Sequence, residues 1–202
     1  MDGGIQQWLM RFREEWENKP IEYLDESGEW QADSDPLFGS ISTAIQSREC
    51  QLTVAELLRI SRWKLQSGRN DANIKENDSE TVAQRTQAAL EAPTDTEAIK
   101  TLTEISGVGV PMASTVLTVA EPSRYAIIDY RAFRGLVGAK PGIMDSPQYS
   151  EYAEFLEHFR NYLKRPESYE YYMSHVRETA DAEDLSARQV DMALWAYDKE
   201  MA

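Results

Sequence analysis

The apolar residues of this chain recur at intervals of three and four over most of its length. Residues 54–65, 152–163 and 190–201 each place a stripe of aliphatic and aromatic side chains on one side of a helix. We found no run of alternating β-branched residues bounded by turns, the pattern typical of a strand. The pattern therefore predicts an all-α fold, one compact helical domain over residues 1–202. The expected helices are 5–18, 36–48, 53–68, 79–91, 95–105, 111–120, 129–137, 147–163, 167–179 and 186–200.

Several helix starts are marked by their own residues. A capping box pairs a Ser or Thr with a Glu or Gln three positions later. Proline is also favoured at the first helical position, as at Pro147 and Pro166. The capping-box pairs in this chain are Thr53 with Glu56, Thr94 with Glu97, and Ser186 with Gln189.

The charge is strongly acidic and uneven. Lys and Arg number 21 against 35 Asp and Glu, which gives −14 and argues against nucleic-acid binding by the whole surface. Residues 14–35 hold nine acidic residues and one lysine. We expect an acidic loop or edge segment over residues 19–35, with Trp30 as its anchor.

Cysteine and histidine are scarce. Cys50 is the single cysteine, which excludes an internal disulfide, a Cys-rich zinc module and a Cys-ligated iron–sulfur cluster. We assign Cys50, His158 and His175 to structural positions. No apolar run approaches the roughly 20 residues that span a bilayer, and the N-terminus lacks the pattern of a signal peptide. We therefore expect a cytoplasmic protein without a membrane partner, associated with the nucleoid if it binds DNA.

One segment, residues 98–121, points to a specific chemistry. An amphipathic helix is followed by Ser106-Gly107-Val108-Gly109 and at once by a second helix with Pro111 in its first turn. Glycine is suited to a tight turn, and we expect a positive φ at Gly109. Free N–H groups at the start of the second helix would bind an anion such as phosphate. The alternative is a plain helix–helix corner with a glycine cap.

The residues that follow favour the first interpretation. An apolar run, Ala126-Ile127-Ile128, ends at Asp129 where the next helix begins. Ala113 lies four positions beyond Gly109, Asp129 twenty beyond it and Arg134 five further on. With the Gly-Val-Gly turn, these spacings resemble the helix-hairpin-helix DNA glycosylase superfamily. The likeness covers about 37 of the 202 residues, with the hairpin motif at about 98–120.

The resemblance implies a set of roles. Asp129 would be the catalytic carboxylate, and the hairpin carbonyls of Thr103, Ile105 and Val108 would hold a monovalent cation, K⁺ or Na⁺, as the one expected cofactor. Members that also cut the strand carry a lysine where this chain has Pro111, so the resemblance implies a monofunctional enzyme that hydrolyses the glycosidic bond alone. The residues expected to contact DNA are Gly107, Val108, Gly109, Val110, Arg124, Arg131 and Arg134.

Aromatic and basic residues extend this picture. Tyr125, Tyr130 and Trp63 are candidate faces on which an extruded base would stack. If Arg124, Arg131 and Arg134 each meet one phosphate, DNA binding should show a log–log salt slope of about −3. A second basic group, with Lys64 nearby, is expected to be a solvated helix face, and by their spacing of three and four residues its members share one side: Arg59, Arg62, Gln66 and Arg69.

Three functions remain open at this point. The first is a DNA N-glycosylase that releases a modified or damaged base in repair of duplex DNA. The second is a non-catalytic DNA-binding module on the same hairpin, and the third is a protein–protein adaptor that uses the acidic N-terminal face. An enzyme should place Asp129 at a cavity on the scale of about 300 Å³, whereas packed side chains around Asp129 would favour the second.

Overall fold

The computed structural model of the chain describes residues 1, 3–17, 19, 21–24, 29–33, 37–145 and 150–201. Helices account for most of these residues. They are α1 (Gly4–Phe12), α2 (Leu37–Ser47), α3 (Val54–Leu65), α4 (Asp71–Lys75), α5 (Ser79–Leu90), α6 (Asp95–Thr103), α7 (Val110–Ala120), α8 (Tyr130–Ala139), α9 (Pro141–Asp145), α10 (Ser150–Asn161), α11 (Pro166–Glu183) and α12 (Ala187–Met201).

The acidic N-terminal segment differs from the prediction. After α1, residues 13–17 form a π-helical turn, and β1 (Ile21–Leu24) pairs with β2 (Trp30–Asp33) as an antiparallel hairpin. Strands of four residues are too short to produce a clear alternating pattern, so we predicted a loop or edge segment. Trp30 is 63% exposed and does not anchor the segment as we expected. The helical fold class is confirmed for the rest of the described chain.

The predicted helix starts are mostly confirmed. The Thr53 hydroxyl accepts a hydrogen bond from the Glu56 N–H, and the Glu56 side chain accepts one from the Thr53 N–H. Thr94 caps α6, and Pro166 is in the first turn of α11. The expected start at Pro147 lies outside the described residues. Helices α4 and α9 were not predicted, since five residues carry too little periodicity.

Helix α7 is the centre of the core. Apart from Pro111, which is partly exposed, every residue of α7 is buried. A helix that is buried on all sides must be surrounded by other elements. It packs against α2, α3, α6 and α11. The turn that precedes α7 is therefore held by the most buried element of the molecule.

A second group of helices packs beside this core. Helix α12 lies against α1, α8 and α11. A Cβ on Gly135 of α8 would lie 2.4 Å from the Leu194 carbonyl oxygen, so α8 and α12 approach more closely than any side chain at position 135 would allow. Helices α6 and α11 are joined by an ion pair between Arg177 and the buried Asp95. These contacts fix α8 and its N-terminus relative to the core.

Candidate functional site

The extended segment 125–128 leads from the core to Asp129, and its backbone is held by side chains. All four of its residues are buried. The Tyr169 hydroxyl donates to the Ala126 carbonyl oxygen at 3.0 Å, and the Tyr172 hydroxyl donates to the Ile127 carbonyl oxygen at 3.3 Å. Both tyrosines are fully buried on α11, and burial raises the pKa of each well above its ordinary value. They therefore remain neutral donors.

The N–H groups of the same segment bind two further helices. The Ile127 N–H donates to Oδ2 of Asp191 on α12 at 2.6 Å. The Ile128 N–H donates to Oγ of Ser114 on α7 at 3.1 Å. Buried backbone groups are costly when unpaired, so these bonds select one path for the chain. Hydrogen bonds from α7, α11 and α12 thus fix the position of Asp129.

Asp129 caps the N-terminus of α8. Its Oδ1 accepts a hydrogen bond from the Ala132 N–H at 2.8 Å, as the sequence predicted for a cap. Its Oδ2 lies 3.3 Å from Nζ of Lys64, which extends from the last turn of α3. The two side chains are 27% and 13% exposed. Oδ1 of Asp129 is therefore hydrogen-bonded to the helix backbone, and Oδ2 faces the amine of Lys64.

Asp129 and Lys64 both line a cavity of about 300 Å³. The cavity lies between α3, the N-terminus of α8, α12 and the end of α1 with its π-helical turn. Its volume is at the lower end of the range of small-molecule sites, about 300–1,000 Å³. The cavity beside Asp129 therefore has the size that we expected if the protein is an enzyme. The aromatic side chains in its wall are Phe12, Trp16, Trp63 and Trp195.

The aromatic rings form a fixed wall. The Trp195 ring makes edge-to-face contacts with Trp16 and Phe12, at centroid distances of 5.3 Å and 5.8 Å. The guanidinium carbon of Arg188 lies 5.9 Å from the centroid of the Trp63 ring. Aromatic rings packed in this way lose little freedom when a flat ligand is placed against them. The aromatic wall is therefore suited to a planar, partly apolar ligand.

A second carboxylate, Asp191, lies at the base of the cavity. It is 1% exposed, and burial raises its pKa to about 6 despite the Ile127 N–H and the guanidinium of Arg188. Arg188 is itself buried and donates to Asp191 Oδ1. Two carboxylates and two basic groups thus share one cavity, with Asp129 and Lys64 the more accessible pair.

The turn before α7 is bound to α4. Gly107 has a φ of +85°, and a Cβ there would lie 2.9 Å from Cγ1 of Ile74. Nδ2 of Asn70 donates to the Gly107 carbonyl oxygen at 3.0 Å. Asn77 exchanges two bonds with Ser106, since its Nδ2 donates to the carbonyl and its Oδ1 accepts from the N–H. The asparagines of this stretch fix the turn.

Our assignment of the positive φ to Gly109 was wrong. Gly109 has a φ of −97° and caps α7 in an extended conformation. A Cβ at this position would meet nothing closer than the Leu163 carbonyl oxygen at 3.9 Å. The left-handed residue is Gly107, which also lies so close to Ile74 of α4 that a side chain would not fit there. Gly109 instead supplies an open approach to the start of α7.

The start of α7 exposes backbone rather than side chains. The first intrahelical bond runs from the Ala113 N–H to the Gly109 carbonyl oxygen at 2.8 Å, so the Val110 N–H precedes the helical ladder. Val108 and Val110 are 6% and 2% exposed, main chain included, so both belong to the core and neither offers a surface to DNA as we expected. Of the hairpin residues expected to contact DNA, Gly109 is exposed and Gly107 is partly exposed.

The cation predicted at the hairpin stays a prediction. Of the three carbonyls expected to hold it, that of Ile105 accepts a hydrogen bond from the Val108 N–H at 3.1 Å. The Thr103 hydroxyl donates to the Lys100 carbonyl oxygen, within its own helix. A carbonyl oxygen has two lone pairs, so the bond at Ile105 is compatible with a further contact.

The three arginines expected at DNA each have an acidic neighbour. Arg124 lies 3.5 Å from Glu121. Arg131 and Arg134 share Asp198 of α12, which is 5% exposed, and Arg134 donates to both of its oxygens. The bond to Asp198 raises the pKa of Arg134 further above its ordinary value. Three arginines and two carboxylates leave this group with one net positive charge.

Of the three candidate stacking residues, only Trp63 lines the cavity. Tyr125 is fully buried in the core, so it is not part of a base pocket. Tyr130 is 48% exposed, and its ring lies 5.5 Å from that of Phe159 and 4.7 Å from the Arg134 guanidinium. Tyr130 is therefore on the outer surface beside the arginines.

The basic face predicted on the helix 53–68 does not behave as one unit. Arg62 pairs with Asp71 at 2.8 Å, whereas Lys64 pairs with Asp129 at 3.3 Å.

His158 has a structural contact of the kind that we expected for it. Its ring stacks on that of Tyr171, with 4.3 Å between the ring centroids.

The cavity residues that sequence reasoning missed come from the two ends of the chain. Phe12 and Trp16 precede Asp129 by more than a hundred positions, and Arg188, Asp191 and Trp195 follow it by about sixty. No local spacing links such residues. Three of the five tryptophans line this cavity, but they are scattered along the chain and nothing in the sequence groups them.

Comparison with protein-family models, curated proteins and solved structures finds no match to the chain. Within the described residues, no helix has both the length and the apolar character needed to cross a membrane. The case for a function is therefore built on the geometry around Asp129.

Proposed function

We propose that this protein is a DNA N-glycosylase, a hydrolase that removes a modified or damaged base from duplex DNA, with Asp129 as its catalytic carboxylate. The observation that supports this proposal most strongly is the position of Asp129. A carboxylate fixed at a helix N-terminus faces a cavity of about 300 Å³ with aromatic walls. This combination suits the receipt of a planar base next to a charge-stabilising group.

The chemistry needs little from the protein beyond Asp129. Cleavage of an N-glycosidic bond passes through a sugar with oxocarbenium character, which a nearby carboxylate stabilises. The same carboxylate would orient or deprotonate the attacking water. Its Oδ1 stays bound to the Ala132 N–H, so Oδ2 is the oxygen that would act.

The base would have to leave the duplex before this step. Enzymes that act on a base extrude it into a pocket and read it by stacking and hydrogen bonds. Trp63 and Trp195 offer ring faces or edges at the cavity, and Arg188 and Lys64 offer donors for the edge of a base. These two kinds of contact would distinguish a modified base from a normal one.

The duplex would lie across the start of α7 and the arginines of α8. The exposed main chain at Gly109, at the start of α7, is suited to one phosphate. Arg131 and Arg134 are about two-fifths and one-third exposed and so remain within reach of another. Since both share Asp198, we expect their contribution to affinity to be modest.

The third function, a protein–protein adaptor, is favoured by one observation. Arg124, Arg131 and Arg134 already have carboxylate neighbours on a chain with a net charge of −14. A surface neutralised in this way suits a protein partner as well as DNA. The non-catalytic DNA-binding module is not favoured, because the surroundings of Asp129 are open rather than packed.

The direct test is a panel of duplexes, each with one modified base, incubated with the protein at low salt. Release of a free base, detected by mass spectrometry, is the expected result for at least one member of the panel. Binding to the duplexes without release of any base would support the non-catalytic module. The absence of both binding and release would exclude DNA as the substrate and favour the adaptor.

A further inference from the structure

Most basic side chains of this acidic protein have an acidic or aromatic neighbour, and a few do not. Among the lysines and arginines that the structure describes, four make no side-chain hydrogen bond, ion pair or ring contact: Lys19, Arg69, Arg160 and Lys164. All four are exposed. On a chain with a net charge of −14, such side chains are the ones available to an anionic partner.

Arg69 lies in the short connection between α3 and α4, which runs from the cavity to the hairpin. Gln66, just after α3, lines the cavity. Asn70, four residues later, donates from Nδ2 to the Gly107 carbonyl oxygen at 3.0 Å. Arg69 is the one basic residue between these two contacts. An anion bound to Arg69 would therefore lie near both the cavity and the hairpin.

Lys164 and Arg160 come from a distant part of the sequence and lie near the same hairpin. The connection between α10 and α11 touches the start of α7, since the Leu163 carbonyl oxygen is the nearest atom to a Cβ built on Gly109, at 3.9 Å. Lys164 follows Leu163 directly, and Arg160 is four positions earlier, near the end of α10. Two connections of the chain thus bring unpaired cations to one turn.

These cations differ from the arginines of α8 in the charge that they leave for a partner. Arg131 and Arg134 share the carboxylate of Asp198, so part of their charge is already neutralised. Arg69, Arg160 and Lys164 have no such neighbour within the described chain. We propose that these three side chains bind the phosphates of DNA beside the hairpin and supply most of the electrostatic affinity.

A phosphodiester backbone is the partner that this surface fits best. Gly109 has no side chain and is exposed, so a phosphate can approach the start of α7 closely. Cations on both neighbouring connections would then contact further phosphates of the same duplex and release its counterions. This inference rests on the function proposed above, because the duplex held in this way is the substrate of Asp129.

The test compares single substitutions by fluorescence anisotropy, with a labelled duplex at about 0.1 M salt. We expect Arg69→Gln and Lys164→Gln each to weaken binding about tenfold and to reduce the log–log salt slope by about 1, the effect of one lost phosphate contact. Lys164→Arg should retain the affinity of the wild type. Lys19→Gln is the matched control, because it removes the same charge from an exposed, equally unpaired lysine of the acidic N-terminal segment. Equal losses in all three glutamine variants would overturn the inference.

Acetylation of the wild-type protein gives a second readout that does not depend on the folding of any variant. The full chain is treated with an acetylating reagent with and without the duplex, and the modified lysines are mapped by mass spectrometry. We expect DNA to protect Lys164 and to leave Lys19 reactive. Equal acetylation of Lys164 with and without bound DNA would overturn the inference.

The same samples separate this inference from the proposed function. Base release by a protein whose Arg69→Gln and Lys164→Gln variants bind DNA as the control does would overturn the inference and leave the glycosylase standing. DNA binding that is lost in these two variants, without release of any base by the wild type, would support the inference and contradict the glycosylase. A wild-type protein that neither binds DNA nor releases a base would contradict both.

Discussion

Gly107 is under a stronger local constraint than Gly109, although the two lie two positions apart. Its φ is +85°, and a Cβ added to it would lie 2.9 Å from Cγ1 of Ile74. We expect Gly107→Ala to lower the free energy of unfolding by about 1–3 kcal/mol, the usual cost of a strained backbone position. Gly109→Ala is the matched control. Urea denaturation that finds both variants equally stable would contradict this account of the turn.

The buried carboxylate of Asp191 predicts a pH dependence. Because burial raises its pKa in the folded protein to about 6, the folded state holds a proton that the unfolded state releases near pH 4. The stability of the wild type relative to Asp191→Asn should therefore fall as the pH rises from about 4 to about 6. Urea midpoints for both proteins across this range test the prediction. A difference independent of pH would show that the pKa of Asp191 is not raised in the folded protein.

At the scale of elements, the segment 125–128 depends on its side-chain partners. Ser114→Ala removes the acceptor of the buried Ile128 N–H. We expect a loss of about 1–3 kcal/mol, the cost of leaving a buried donor unpaired. Ser174→Ala is a control on α11, where the hydroxyl bonds only within its own helix. The prediction fails if thermal unfolding shows equal losses in the two variants.

The elements themselves were largely predictable, and the site was partly so. Asp129 as a helix cap follows from local sequence, since an acid after an apolar run marks a helix start. The positive φ at Gly107 does not follow from local sequence. Gly107 and Gly109 are equally suited to a left-handed conformation, and only the packing of α4 against the turn distinguishes them. The surroundings of Asp129 depend on tertiary packing: Lys64 comes from α3, and Asp191 of α12 binds the Ile127 N–H two residues before Asp129.

At the scale of the whole molecule, ion pairing changes the expected response to salt. The arginine group of α8 and its neighbours carry one net positive charge, so we expect this group to contribute about −1 to the log–log slope in place of −3. Asp198→Asn should make DNA binding tighter and the slope steeper by about 1, because Arg131 and Arg134 lose a competing carboxylate.

The matched control for this prediction is Asp181→Asn, which removes one negative charge from an exposed position of α11. Fluorescence anisotropy at several salt concentrations measures both slopes. If the two variants bind DNA alike, the effect is one of total charge, and the arginines of α8 do not contact phosphate.

The central claim is that Asp129 stabilises charge on the sugar as the base departs, and single-turnover base release by Asp129→Asn tests it most directly. The amide keeps the size and capping ability of the aspartate but carries no charge and takes no proton. We expect base release to fall by orders of magnitude while DNA affinity and the unfolding midpoint are retained. Asp129→Ala should in addition lose about 1 kcal/mol of stability. Full activity in a folded Asp129→Asn protein would contradict the account.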